Sequence, residues 1–149
     1  MRYNPDPAVN YDYQSMAQLK NKSEFNVAAA ELLFKNYCYS SVPHPAYYSC
    51  LQLMKHFLCH KVNIDYNTQV DEIKQNGGKS HKYYIEEIYY AIIDRKNTHE
   101  AGKFLRNIQD LKALREEADY ANVLIDPSKA QSSIDRAKYT IDFLKKIFK

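Results

Sequence analysis

The stretch LREEADYANVLI, residues 114–125, decides how the chain is read. Extended back to Thr98, it sets Phe104, Ile108, Leu111 and Ala118 at helical spacing. That period belongs to an α-helix with one buried face, so a helix is predicted from about Thr98 to Leu124. Arg115 falls almost on the centre line of that apolar face. Asn122 lies on the same line, and Asp119 sits one turn beyond Arg115. The face is therefore apolar in its first half and polar in its second.

Working outward, DPSKA restarts the chain with Asp126 as N-cap and Pro127 at the first helical position. The helix that follows aligns Ile134, Ala137, Ile141, Leu144 and Phe148. Upstream, HKYYIEEIYYAIIDRK (81–96) sets His81, Ile85, Ile88, Tyr89 and Ile92 on one stripe. Before it, VPHP (42–45) precedes a helix carrying Tyr47, Cys50, Leu51, Met54, Phe57 and Leu58 on one face. Ser23 is expected to cap an earlier helix that runs to about Ser40, with Phe25, Ala28, Ala29 and Leu32 as its stripe. Gly77-Gly78 is a breaker, and residues 62–80 hold either a short helix around 68–75 or a loop. Residues 1–22 read as a tail with a weaker helical signal over 12–22. The expected fold is all-α, an antiparallel up-and-down bundle of four or five helices forming one domain over residues 23–149.

Composition agrees with that reading. The 149 residues are 45% hydrophobic and 26% charged, with three Gly and five Pro, too few for a turn-rich β-sandwich. A net charge of +3 permits an anionic partner without predicting one, because no dense Lys/Arg cluster is present. Cys38, Cys50 and Cys59 form neither a closed disulfide set nor a zinc-ribbon spacing. With no apolar leader and no membrane-length apolar run, a reduced, cytoplasmic setting is expected.

A buried guanidinium needs a partner or a wet cleft. The plainer reading of Arg115 is a structural ion pair with Asp119, closing the bundle end or lining a dimer seam. The sharper reading is an anion-binding or catalytic arginine, since its fork of N–H donors matches phosphate geometry.

Four segments in this order resemble the HEPN superfamily: AAAELLFKNYCYSS, PAYYSCLQLMKHFL, LREEADY and SSIDRAKYTIDFLKKI. Tyr47, Tyr48, Arg115, Ala118, Asp119 and Tyr120 are the matching positions, and the likeness spans residues 23–148. The resemblance implies a helical bundle, commonly a homodimer, linked to nucleotide or RNA chemistry. Some members are metal-independent ribonucleases used as toxins. Others lack known catalysis and accompany nucleotidyltransferase partners. The ribonuclease members have the arginine followed by four to six residues and then a histidine. Here the corresponding positions hold Tyr120, Ala121 and Asn122, so the motif is broken.

Relocated histidines are the remaining route to catalysis. His81 starts a helix on its buried stripe and is read either as a rim residue or as a spatial partner of Arg115. His99 follows Arg95 too closely and at a helix junction. His44, between two prolines, reads as a loop residue. His56 and His60 share one helical face but have no third ligand, so neither metal nor cofactor is expected. Tyrosine is used 14 times and tryptophan not at all; the pairs 47/48, 83/84 and 89/90 each leave one ring for a protein interface or base stacking. No Gly-rich phosphate loop or nucleophile elbow is present.

The expectation is a non-catalytic, dimeric HEPN-like module for a nucleotide, RNA or a nucleotidyltransferase-type partner. Its cleft would be marked by Arg115, Asp119, Asn122, Tyr120, Tyr47 and Tyr48. The alternative is a divergent ribonuclease using Arg115 with His81 or His99. An interaction module using only its tyrosine faces is the third possibility.

Overall fold

A computed structural model describes residues 13–95 and 97–149, with side chains from residue 18 onward. Among these residues the fold is all-α. Six helices follow in order: α1 (Tyr13–Lys35), α2 (Pro43–His60), α3 (Tyr66–Gln75), α4 (Ser80–Asp94), α5 (Thr98–Tyr120) and α6 (Pro127–Ile147). A single 3₁₀ turn, Tyr39–Ser41, joins α1 to α2. None of the helices is long and apolar enough to cross a membrane.

Helix α2 is central, packing against α1, α4, α5 and α6. Its expected stripe is its buried face: Tyr47, Cys50, Leu51, Met54 and Leu58 are sealed from solvent and Phe57 nearly so. Ile88 and Ile92 of α4, Ile108 and Leu111 of α5, and Leu144 of α6 complete the interior. Each such side chain contributes roughly 1.5–3 kcal/mol on burial.

The helix boundaries follow local chemistry. Helix α2 begins with Pro43 in its first turn, where a missing N–H costs nothing. The Asp126 carboxylate accepts from the Lys129 amide at 2.8 Å and starts α6. Asp65 does the same for α3 through Thr68, also at 2.8 Å, which resolves the segment 62–80 in favour of a short helix. Gly77 and Gly78 take φ values of 84° and 77°, which glycine adopts without strain, and so end it.

Helix α1 reaches back at least to Tyr13, in keeping with the weaker helical signal over 12–22; residues 1–12 of the expected tail lie outside the described residues. Three other expectations for α1 are corrected. Ser23 does not cap α1. It is buried within it, its hydroxyl donating to the Ser49 carbonyl at 2.7 Å. The inward stripe is therefore Ser23, Val27, Ala30 and Phe34, while Phe25 and Leu32 are 73% and 62% exposed. A small, satisfied polar residue at 23 and alanine at 30 admit α2 closely, which turns the larger apolar pair outward. Helix α1 also stops at Lys35 rather than Ser40. Tyr37 adopts φ 62°, and the amides of Tyr37 and Cys38 return to the carbonyls of Phe34 and Leu33.

Candidate functional site

Arg115 projects from the buried side of α5, one turn beyond Leu111, and is only 8% exposed. Its Nη2 donates to the Tyr48 hydroxyl at 3.1 Å. Its Nε lies 3.1 Å from Asp119 Oδ2, a contact of opposite charges that lacks hydrogen-bond alignment. The guanidinium carbon sits 5.5 Å from the ring centres of each of Tyr47, Tyr48 and Tyr120. Such ring faces attract a cation. Burial opposes the charge on Arg115, but the Tyr48 bond and the neighbouring Tyr48, Tyr120 and Asp119 more than offset it and raise its pKa.

Two histidines flank this arginine. His44 stands in the first turn of α2, its Nδ1 2.8 Å from the same Asp119 Oδ2. An ionised carboxylate only accepts, so Nδ1 carries the proton in this bond. The His44 ring stacks on Tyr48 with centres 4.6 Å apart. On the other side, His81 Nδ1 lies 3.1 Å from the Tyr47 hydroxyl, and its ring meets Tyr48 edge-on at 5.7 Å. The His81 pKa is lowered by burial first, then by Arg115, Lys112 and Lys55. Burial pushes the Tyr47 phenol well above its ordinary value against the pull of Arg115, so it remains a neutral hydroxyl.

Beside the arginine, α4 and α5 enclose an open cleft of about 900 Å³, a size that accommodates a small ligand. Lys79, His81, Tyr90, Lys112, Arg115 and Tyr120 are among its lining residues. Within the walls Lys82 pairs with Glu86 at 3.8 Å and Lys112 with Glu116 at 3.4 Å. Lys79, Lys82, Lys112 and Arg115 outnumber Glu86 and Glu116 in the lining, and with Asp119 set against Arg115 the formal balance around the cleft is still positive. Tyr90 and Tyr120 are 56% and 76% exposed, each with ring surface open to a ligand.

Of the residues singled out from sequence, Arg115, Asp119, Tyr120, Tyr47, Tyr48 and His81 come together here. Asn122 does not. Helix α5 ends at Tyr120 rather than Leu124, Ala121 turns extended at ψ 144°, and Asn122 is exposed past the helix. The cause is downstream: Ile125 is buried and its amide is held by Ser40 Oγ at 3.0 Å, which draws the chain off the helix axis. His99 is also remote, since it lies 16 positions before Arg115 on α5, about 24 Å at the helical rise. The His56 and His60 ring centres lie 4.4 Å apart with the planes tilted by 41°, and no group of three metal-ligating side chains assembles among the described residues.

Sequence reading missed His44, Lys79 and Lys112 as neighbours of the arginine. The signal for His44 was present, because it precedes Tyr48 by four residues and so shares its face once the helix begins at Pro43. Lys112 likewise precedes Arg115 by three. No protein-family model, curated protein or solved structure matches the chain.

Proposed function

We propose that the chain is a HEPN-like module that binds a phosphate-bearing ligand, a nucleotide or RNA, in the α4–α5 cleft without turning it over. Arg115 is the phosphate partner. One observation carries the reading: a buried arginine lines an electropositive cleft while, among the described residues, donating one aligned hydrogen bond, that to Tyr48. Its Nη1 has no protein acceptor among the described residues, and an arginine fork is suited to two phosphate oxygens. Tyr90 and Tyr120 supply ring faces for a base. The resemblance in LREEADY and in the Tyr47-Tyr48 pair supports the family assignment, and the central position of α2 is compatible with an antiparallel up-and-down bundle. The outward Phe25 and Leu32 of α1 and the 89% exposed Leu124 are apolar surface of the kind a second copy or a nucleotidyltransferase-type partner would cover.

A second reading, a metal-independent ribonuclease, is favoured by the two imidazoles on either side of Tyr48. His44 is oriented by a carboxylate, and His81 is kept neutral by burial and nearby cations. In that reaction one imidazole takes the 2′-hydroxyl proton as the oxygen attacks phosphorus, and the other protonates the departing 5′-oxygen.

A mixed RNA pool incubated in EDTA with wild type and Arg115→Ala separates the two. Retention of intact RNA by wild type alone supports the binding module. Cleavage that is lost in Arg115→Ala and reduced in His44→Ala or His81→Ala assigns the ribonuclease instead. Neither retention nor cleavage by folded wild type contradicts both.

A further inference from the structure

We infer that Asp119 is an internal anion that occupies Arg115 and is handed to His44 when a ligand's phosphate takes the guanidinium. The inference rests on the reading of Arg115 as the phosphate partner and adds how access to it is controlled. A single carboxylate oxygen serves both neighbours: Asp119 Oδ2 is 3.1 Å from Arg115 Nε and 2.8 Å from His44 Nδ1. The two contacts are unequal. The arginine contact is misaligned and leaves Nε without a hydrogen bond, although that atom is buried. The histidine contact is a short, charge-assisted hydrogen bond.

Asp119 therefore neutralises the guanidinium electrostatically without saturating its donors. This offsets part of the cost of a buried cation. A phosphate offers Arg115 a second negative charge with better-placed oxygens, and two anions cannot share one guanidinium at low cost. Asp119 then needs another donor, and His44 already touches it. Little must move, because Asp119 lies in the last turn of α5, one residue before the helix ends at Tyr120. His44 is 52% exposed and stacked on Tyr48, so its ring is held facing the carboxylate. Tyr48 in turn receives the Arg115 Nη2 bond, which ties both ends of the hand-over to one ring.

The alternative role for Asp119 is that of a positioning residue that aims Arg115 at the ligand. The two roles predict opposite signs. A titration of the full chain with inorganic pyrophosphate, followed by calorimetry at fixed ionic strength, reads them directly. Removing the competing charge in Asp119→Asn is expected to tighten binding about tenfold. His44→Ala leaves Asp119 on the arginine and is expected to weaken binding about threefold or more. The double variant should bind like Asp119→Asn, because no carboxylate remains for His44 to receive.

Weaker or unchanged binding by Asp119→Asn, with binding still abolished in Arg115→Met, overturns the hand-over while leaving the phosphate site in place. A double variant clearly weaker than Asp119→Asn also overturns it, since His44 would then be touching the ligand itself. If neither wild type nor Asp119→Asn binds, both the hand-over and the phosphate reading fail. Unfolding transitions of each variant distinguish a lost contact from a lost fold.

Discussion

A guanidinium at position 115 stands where the stripe of α5 otherwise carries Phe104, Ile108 and Leu111, and its neighbours are organised around it. Tyr47, Tyr48 and Tyr120 present their rings, Asp119 its charge, and His81 is kept from protonating partly by Arg115 itself. A histidine whose pKa is lowered on folding favours the folded state while neutral. That contribution is full above the ordinary imidazole value of 6.5 and is lost as pH falls through the lower folded value. Proton NMR should find the His81 pKa below 6.5 in wild type. It should lie higher in Arg115→Met, though still lowered, because burial is the larger cause and persists. At this scale Arg115 and Asp119 were legible, since helical spacing alone brings them together. His44 was legible only in its spacing to Tyr48; its contact with Asp119 depends on α2 beginning two residues before Pro45 and on α5 lying across that end.

The helices differ in how firmly they are held. Helix α6 shares seams with α1, α2 and α5, whereas α3 shares no extensive seam with any helix. It is attached by Gln69, whose amide donates to the Lys55 carbonyl of α2 at 3.4 Å, and by the Tyr83 hydroxyl of α4 donating to Glu72. Equivalent caps should then have unequal effects. Asp126→Ala is expected to cost about 1 kcal/mol of global stability by urea denaturation, because α6 unfolds only with the core. Asp65→Ala should leave the global midpoint near wild type and speed hydrogen exchange of the α3 amides alone. A matching drop in global stability for Asp65→Ala would mean that α3 belongs to the cooperative core. Periodicity identified α2, α4 and α6 well because their large apolar residues face a neighbour. It misjudged α1, where small Ser23 and Ala30 make the contact and Phe25 and Leu32 do not. It overran α5, whose end is set by the pull of Ile125 toward Ser40, a contact between segments 85 residues apart.

Across the whole molecule, a helical framework with α2 at its centre brings a nearly buried arginine to the wall of an electropositive cleft. The all-α class was legible from period and from the scarcity of glycine. The cleft was not, because it exists only between α4 and α5 and has no signature along the chain. Arg115→Met separates an arginine that serves a ligand from one that serves only the fold. Methionine fills similar volume without a charge; removing one partner of a buried pair strands the other, but Asp119 is 24% exposed and hydrogen-bonded to His44, which limits that cost. Asp119 would retain His44. The most direct measurement is the fluorescence anisotropy of a short labelled single-stranded RNA titrated with wild type and Arg115→Met in EDTA. Wild type is predicted to bind, and the variant, shown to be folded by a cooperative unfolding transition, to bind at least about tenfold more weakly. Equal affinity in the two proteins would contradict the account and leave Arg115 as a structural ion pair.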